Sequence, residues 1–155
     1  MAALIVIGCG GGGGGGDTTG VTDGSTDGTT TGIQTGVYGT LRDSAGQSVG
    51  GATIKFYSAA GTYISQTTTR ANGAFESELP TSARKFTIDL AGIPNSSNYF
   101  NQFGYGDDEY LANDPGCLAP LPAFSQGQAS PFTTPVVITP RWLGPPPPPT
   151  GCLGG

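Results

Sequence analysis

From Val37 to Leu90 apolar and polar residues alternate with a period of two, in short runs broken by turn residues. That period confines the region to β structure. Val37, Gly39 and Leu41 alternate with Tyr38, Thr40 and Arg42, and after the turn at Asp43 to Gly46 the apolar set resumes at Ala52, Ile54 and Phe56. A turn at Ala59 to Gly61 leads into Tyr63 to Arg70, rich in Thr and suited to an exposed strand. Asn72 and Gly73 are the strongest hairpin signal, since both tolerate a positive φ. Phe75, Ser77 and Leu79 follow, then Phe86, Ile88 and Leu90. A last segment, Val136 to Thr139, lies between Pro135 and Pro140, as an edge or terminal strand would. No window carries helical periodicity. Six to seven short strands at this turn spacing predict an all-β fold, a small antiparallel β-sandwich. Alternation places Ile54, Phe56, Phe75, Phe86 and Ile88 in its core and leaves Thr87 facing solvent.

The rest of the chain cannot supply a core. Residues 10–33 form a Gly/Thr-rich linker; between Gly10 and Gly32 there are eleven Gly and seven Thr. A Gly-rich coil of that length is expected to be disordered and to reach about 25–30 Å. At the other end, residues 142–155 are a Pro/Gly-rich tail in which Pro145 to Pro149 predict a stiff polyproline II spacer of roughly 15 Å. The sandwich is therefore assigned to residues 34–141. All six basic residues lie within it, whereas Asp17, Asp23 and Asp27 belong to the linker, so part of the net charge of −5 comes from the tether. Few cations and a negative balance argue against nucleic acid as a partner. The chain has no histidine, which removes Ser-His-Asp and Cys-His nucleophiles, His bases and His metal ligands.

Residues 1–9 are apolar and end Val6-Ile7-Gly8-Cys9, which resembles a bacterial lipobox: aliphatic residues, a small residue, then the cysteine that receives lipid. No Lys or Arg precedes the apolar stretch, and Ala2 to Ile7 is short for the apolar core of a signal. The segment reads as a truncated lipoprotein signal, with Cys9 as the lipid attachment site and the membrane as partner through that anchor. The implied address is the bacterial cell envelope, periplasmic or outer surface. With Cys9 lipidated, Cys117 and Cys152 remain, an even pair in an oxidising compartment. They form either a bridge tying the tail to the loop around Cys117 or two unpaired thiols.

The run Val37-Tyr-Gly-Thr-Leu-Arg-Asp43, then Ala45-Gly46 through Ala52 to Phe56, then Thr69-Arg-Ala-Asn-Gly73-Ala-Phe75 resembles the carboxypeptidase regulatory-like domain. The resemblance implies a prealbumin-like β-sandwich over about Gly36 to Leu90. Ser48 stands where Pro is usual, Asn72 where Asp is usual, and Ser82-Ala83 where a Gly-x-Tyr step is common. In the peptidases that name the family, this module accompanies a separate zinc catalytic domain. Related dioxygenases hold iron with His and Tyr, a site that a chain without histidine does not build. Related collagen-adhesin repeats seal themselves with a Lys–Asn isopeptide bond. The lysines here are Lys55 and Lys85, and Val136 to Thr139 carries no Asn, so that bond is not expected.

The stretch Asn95 to Cys117 departs from the family pattern. Tyr99, Phe100, Phe103, Tyr105 and Tyr110 concentrate five of the fourteen aromatics there, in a connection too long to be a plain loop. They form either a contact surface for a glycan or protein partner, or a plug over an open end of the sandwich. Asp107, Asp108, Glu109 and Asp114 are weak calcium candidates, since their spacing matches no known loop. No cofactor is expected and no catalytic residue is assigned. The sequence thus reads as a non-catalytic, membrane-tethered surface or periplasmic binding or spacer module. The alternatives are an enzyme with an unrecognised carboxylate site, or a purely structural extracellular subunit.

Overall fold

The computed structural model describes residues 32–152. Ten strands run in chain order among them: β1 (Gly36–Asp43), β2 (Thr53–Ser58), β3 (Tyr63–Thr68), β4 (Ala74–Glu78), β5 (Ala83–Asp89), β6 (Tyr99–Tyr105), β7 (Asp108–Leu111), β8 (Ala119–Pro120), β9 (Ala129–Pro131) and β10 (Val136–Pro140). One sheet has six strands, in the order β4-β1-β10-β6-β7 with β9 also on β1; the other is β3-β2-β5-β8. The two form a sandwich over a single apolar core. Across β2 and β5, Ile54 stands opposite Ile88 and Phe56 opposite Phe86, all four with no exposed surface. Phe86 is the hub of the core: its ring lies 5.5 Å from that of Phe103, 5.3 Å from Tyr105 and 5.0 Å from Phe132. Burying one such side chain contributes about 1.5–3 kcal/mol.

Several local expectations are corrected. The six-stranded sheet is mixed, because β1 pairs in parallel with both β10 and β9. A parallel neighbour needs a long crossover, and everything from β2 to β9 intervenes between β1 and β10. Of the two alternatives for Val136 to Thr139, β10 is the last strand of the chain order but not an edge: it lies between β1 and β6, and Pro135 and Pro140 fall at its ends, where a missing N–H is tolerated. Asn72-Gly73 does not close a hairpin within one sheet, since β3 and β4 belong to different sheets. Only Gly73 adopts a positive φ there (80°); Asn72 instead accepts the Ala74 N–H on its side chain. A Cβ on Gly73 would sit 2.3 Å from the Leu41 carbonyl oxygen, so this corner needs glycine.

Thr87 does not face solvent. It is fully buried, because the crossover from β7 to β8 folds over the outer face of β5 and the Asn113 N–H donates to Thr87 Oγ1 at 3.1 Å. The tail, as far as Cys152, is strapped to the body. Cys117 and Cys152 form a disulfide. Gln102 Nε2 donates to the Pro147 carbonyl at 2.9 Å, and the β7 edge amides of Glu109 and Leu111 are met by Thr150 Oγ1 and the disulfide sulfurs. Gly151 lies flat on Tyr110, where a Cβ would come within 2.3 Å of the ring.

The two ends of the sandwich differ. β1 begins at one end, where Gly36 pairs with Glu78. At the other, where β1 finishes, loops 44–52, 69–73 and 90–98 gather with the 3-10 turn Arg141–Leu143. Gly51 N–H donates to the Thr69 carbonyl at 2.9 Å, Ser44 N–H to that of Ile138 at 2.9 Å, and Arg141 Nε to that of Ser97 at 2.9 Å.

Candidate functional site

Three successive turns order the loop leading from β5 into β6, with Ile93 N–H bonding Leu90 O, Ser96 N–H bonding Ile93 O and Asn98 N–H bonding Asn95 O. They deliver Tyr99 to the head of β6, at the meeting of two clefts. One, of about 420 Å³, is polar, walled by Asp89, Ser96, Ser97, Asn101, Asn113 and Arg141. The other, of about 510 Å³, is lined by Val49, Gly50, Gly51, Ile93 and Pro94. Tyr99 borders both. Burial holds its phenol above the usual range, and the negative charge of Asp43 adds to this. Beside it Trp142 is 65 % exposed, with ring centroids 6.5 Å apart.

The charges at this end have partners. Lys55 Nζ lies 2.9 Å from Asp89 Oδ2 and 2.8 Å from Asn113 Oδ1. The Arg141 guanidinium covers the Phe100 ring at 4.8 Å. A hydrogen bond from the Ala91 N–H, then the bond to Lys55, holds the Asp89 carboxyl below its ordinary range. An Asn therefore does meet a lysine, though it comes from the crossover loop and not from the terminal strand. Aminolysis of an amide needs a neutral amine and, beside it, an acid able to give up a proton. Here the acid is kept ionised, and Lys55 and Asp89 are 22 % and 24 % exposed to water. The trio is an ion pair with an amide attached, suited to fixing the crossover loop.

The sequence-assigned aromatics separate by strand parity. Phe103 and Tyr110 are core residues, stacked at 5.2 Å, and offer nothing to a surface ligand. Burial, followed by the charge of Asp108, raises the Tyr110 phenol. Tyr99 and Tyr105 pack partly against the core, while Phe100 takes the outer face of β6 beneath Arg141. The four acids proposed for calcium disperse. Asp108 accepts from Thr150 Oγ1 at 3.2 Å, and Asp114 accepts the Gly116 N–H at 2.8 Å. Asp107 is exposed, and Glu109 is half-buried on β7 with its carboxyl raised by desolvation, partly opposed by Gln102. Among the described residues no group of three metal-ligating side chains is placed to hold an ion. Cys9 lies outside the described residues.

Sequence reasoning missed Trp142, Arg141, Asn113 and Ile93. A boundary at residue 141 put Trp142 in the tail, although the chain's only tryptophan directly after a strand was the available signal. No protein-family model matches the chain, and no curated protein matches it. Among solved structures the chain is similar to the Bacillus anthracis TIE protein, at a TM-score of 0.43 and 16 % identity. That match covers 66 % of this chain and 17 % of the other.

Proposed function

We propose that the chain is an exported, lipid-anchored, non-catalytic module of the bacterial cell envelope, built to hold a carboxypeptidase regulatory-like sandwich away from a membrane and present its loop end to a partner. The Cys117–Cys152 disulfide carries this reading, because such bonds persist in oxidising compartments and are rare in the cytosol. Val6 to Cys9 and the Gly/Thr-rich stretch after it supply the anchor and the tether. The entry of β1 at the end opposite the clefts supports the same orientation. Burial of Phe103 and Tyr110 favours Tyr99 and its surroundings over the whole aromatic segment as the contact surface.

Radiolabelled palmitate is the test. Expressed in a bacterial host, the chain should incorporate label and partition into detergent, and Cys9→Ala should do neither. An intact mass showing an unmodified Cys9 in membrane-grown cells would overturn the anchor.

A further inference from the structure

We propose that the loop end binds a neutral polysaccharide, with the exposed Trp142 ring and the inclined, partly buried Tyr99 ring as two separate stacking faces and the cleft of Asp89, Ser97 and Asn113 reading its hydroxyls. This deepens the binding reading above and rests on it. A large ring left in water beside a recess marks a contact surface: Trp142, 65 % exposed, stands outside the polar cleft with its ring 6.5 Å from that of Tyr99, which walls it. The cleft, about 420 Å³, falls in the size range of small-ligand sites. Its walls offer hydroxyls and amides. Its charges are occupied within the protein, Asp89 by Lys55 and Arg141 by the Phe100 ring and the Ser97 carbonyl.

A pyranose matches both halves of this surface. Its C–H face is apolar and flat enough to lie on an aromatic ring, and its rim carries hydroxyls that both donate and accept. An anionic ligand would need unpaired cations, and a chain of net charge −5 offers none of the field that draws polyanions. Tyr99 also borders the second cleft, so a ligand seated on it extends both ways. That geometry fits a polymer of several sugars better than a single one.

Trp142 is the chain's only tryptophan, so its emission reports directly on the site. The full chain is titrated with chitohexaose, cellohexaose and maltohexaose, following fluorescence and then calorimetry. At least one should give a saturable response that survives salt raised to about 0.5 M, because no ion pair is involved. Trp142→Ala should weaken that binding about tenfold or more, Trp142→Phe should restore it, and Tyr63→Ala at the opposite end should leave it unchanged. Both Trp142 variants should melt at the wild-type Tm. The proposal falls if none of the three sugars responds, if Trp142→Ala binds as wild type does, or if only anionic phospholipid vesicles respond. If it falls while Cys9 still takes palmitate, the module remains a tethered spacer; if label is absent as well, the underlying reading goes with it.

Discussion

Arg141 to Leu143 and Pro147 to Cys152 are neighbours in sequence and opposites in structure. Trp142 and Leu143 are 65 % and 54 % exposed. A few residues on, Cys152 is half-buried, covalently joined to Cys117, and the segment before it satisfies the outward amides of β7. Composition treats everything from Trp142 onward as one proline- and glycine-rich tail. What orders the second part is a set of point contacts onto a strand edge that would otherwise offer unpaired N–H groups to another chain. Among the described residues no such set of contacts covers the Trp142 and Leu143 side chains, which is why they remain exposed.

The largest effect that tests this contrast comes from the core both regions share. Phe86→Ala removes the hub of the aromatic cluster and should cost about 3–5 kcal/mol in denaturant unfolding, lowering strap and loop end together. Next is the strap alone. Cys117→Ser with Cys152→Ser should cost about 2–4 kcal/mol, given a sequence separation of 35. Hydrogen exchange should then show Glu109 and Leu111 amides losing protection while Ile93 and Ser96 keep theirs. Equal loss at both sites would show that the two regions are one cooperative unit.

Smaller is Thr87→Ala, which leaves the Asn113 N–H without its acceptor and should cost about 1–3 kcal/mol. Thr87→Ser, retaining the hydroxyl, should recover most of that loss. The smallest effect concerns pH. Asp89 ionises more readily folded than unfolded, chiefly through the Ala91 N–H and then Lys55. Its contribution is therefore complete above the ordinary value near 3.8 and lost as pH falls through the lower folded value. Asp89→Asn should flatten the acid limb of the stability profile, and an unchanged limb would show that the pair does nothing for the loop end.

The sequence displayed its sandwich wherever one face of a strand is buried and the other wetter, as in β2, because only there does burial follow parity. It hid β8 and β9, which are two and three residues long and too short to show a period. Thr87 was misread for a related reason: alternation reports which side of a sheet a residue takes, and says nothing of what later folds over that side. In β6 parity did separate Phe100 from Phe103. What it could not reveal was that Tyr110, on β7, would stack under Phe103, since cross-strand partners depend on register. The candidate site draws on loops 90–98 and 112–118 and on the turn after β10. Three segments distant in sequence leave no local signature.

The parallel pairing of β1 with β10 has a mechanical consequence. The chain enters β1 at one pole, at Gly36, and leaves β10 at the other, directly into Arg141 and Trp142. Tension between those two points runs along the strands, so the register Leu41–Val136, Arg42–Val137, Asp43–Ile138 is loaded in shear. Bonds pulled in shear share the load and must yield together, whereas a ladder pulled from one end opens a rung at a time. A weight hung on Trp142 and held at Gly36 therefore meets the fold along its most resistant axis.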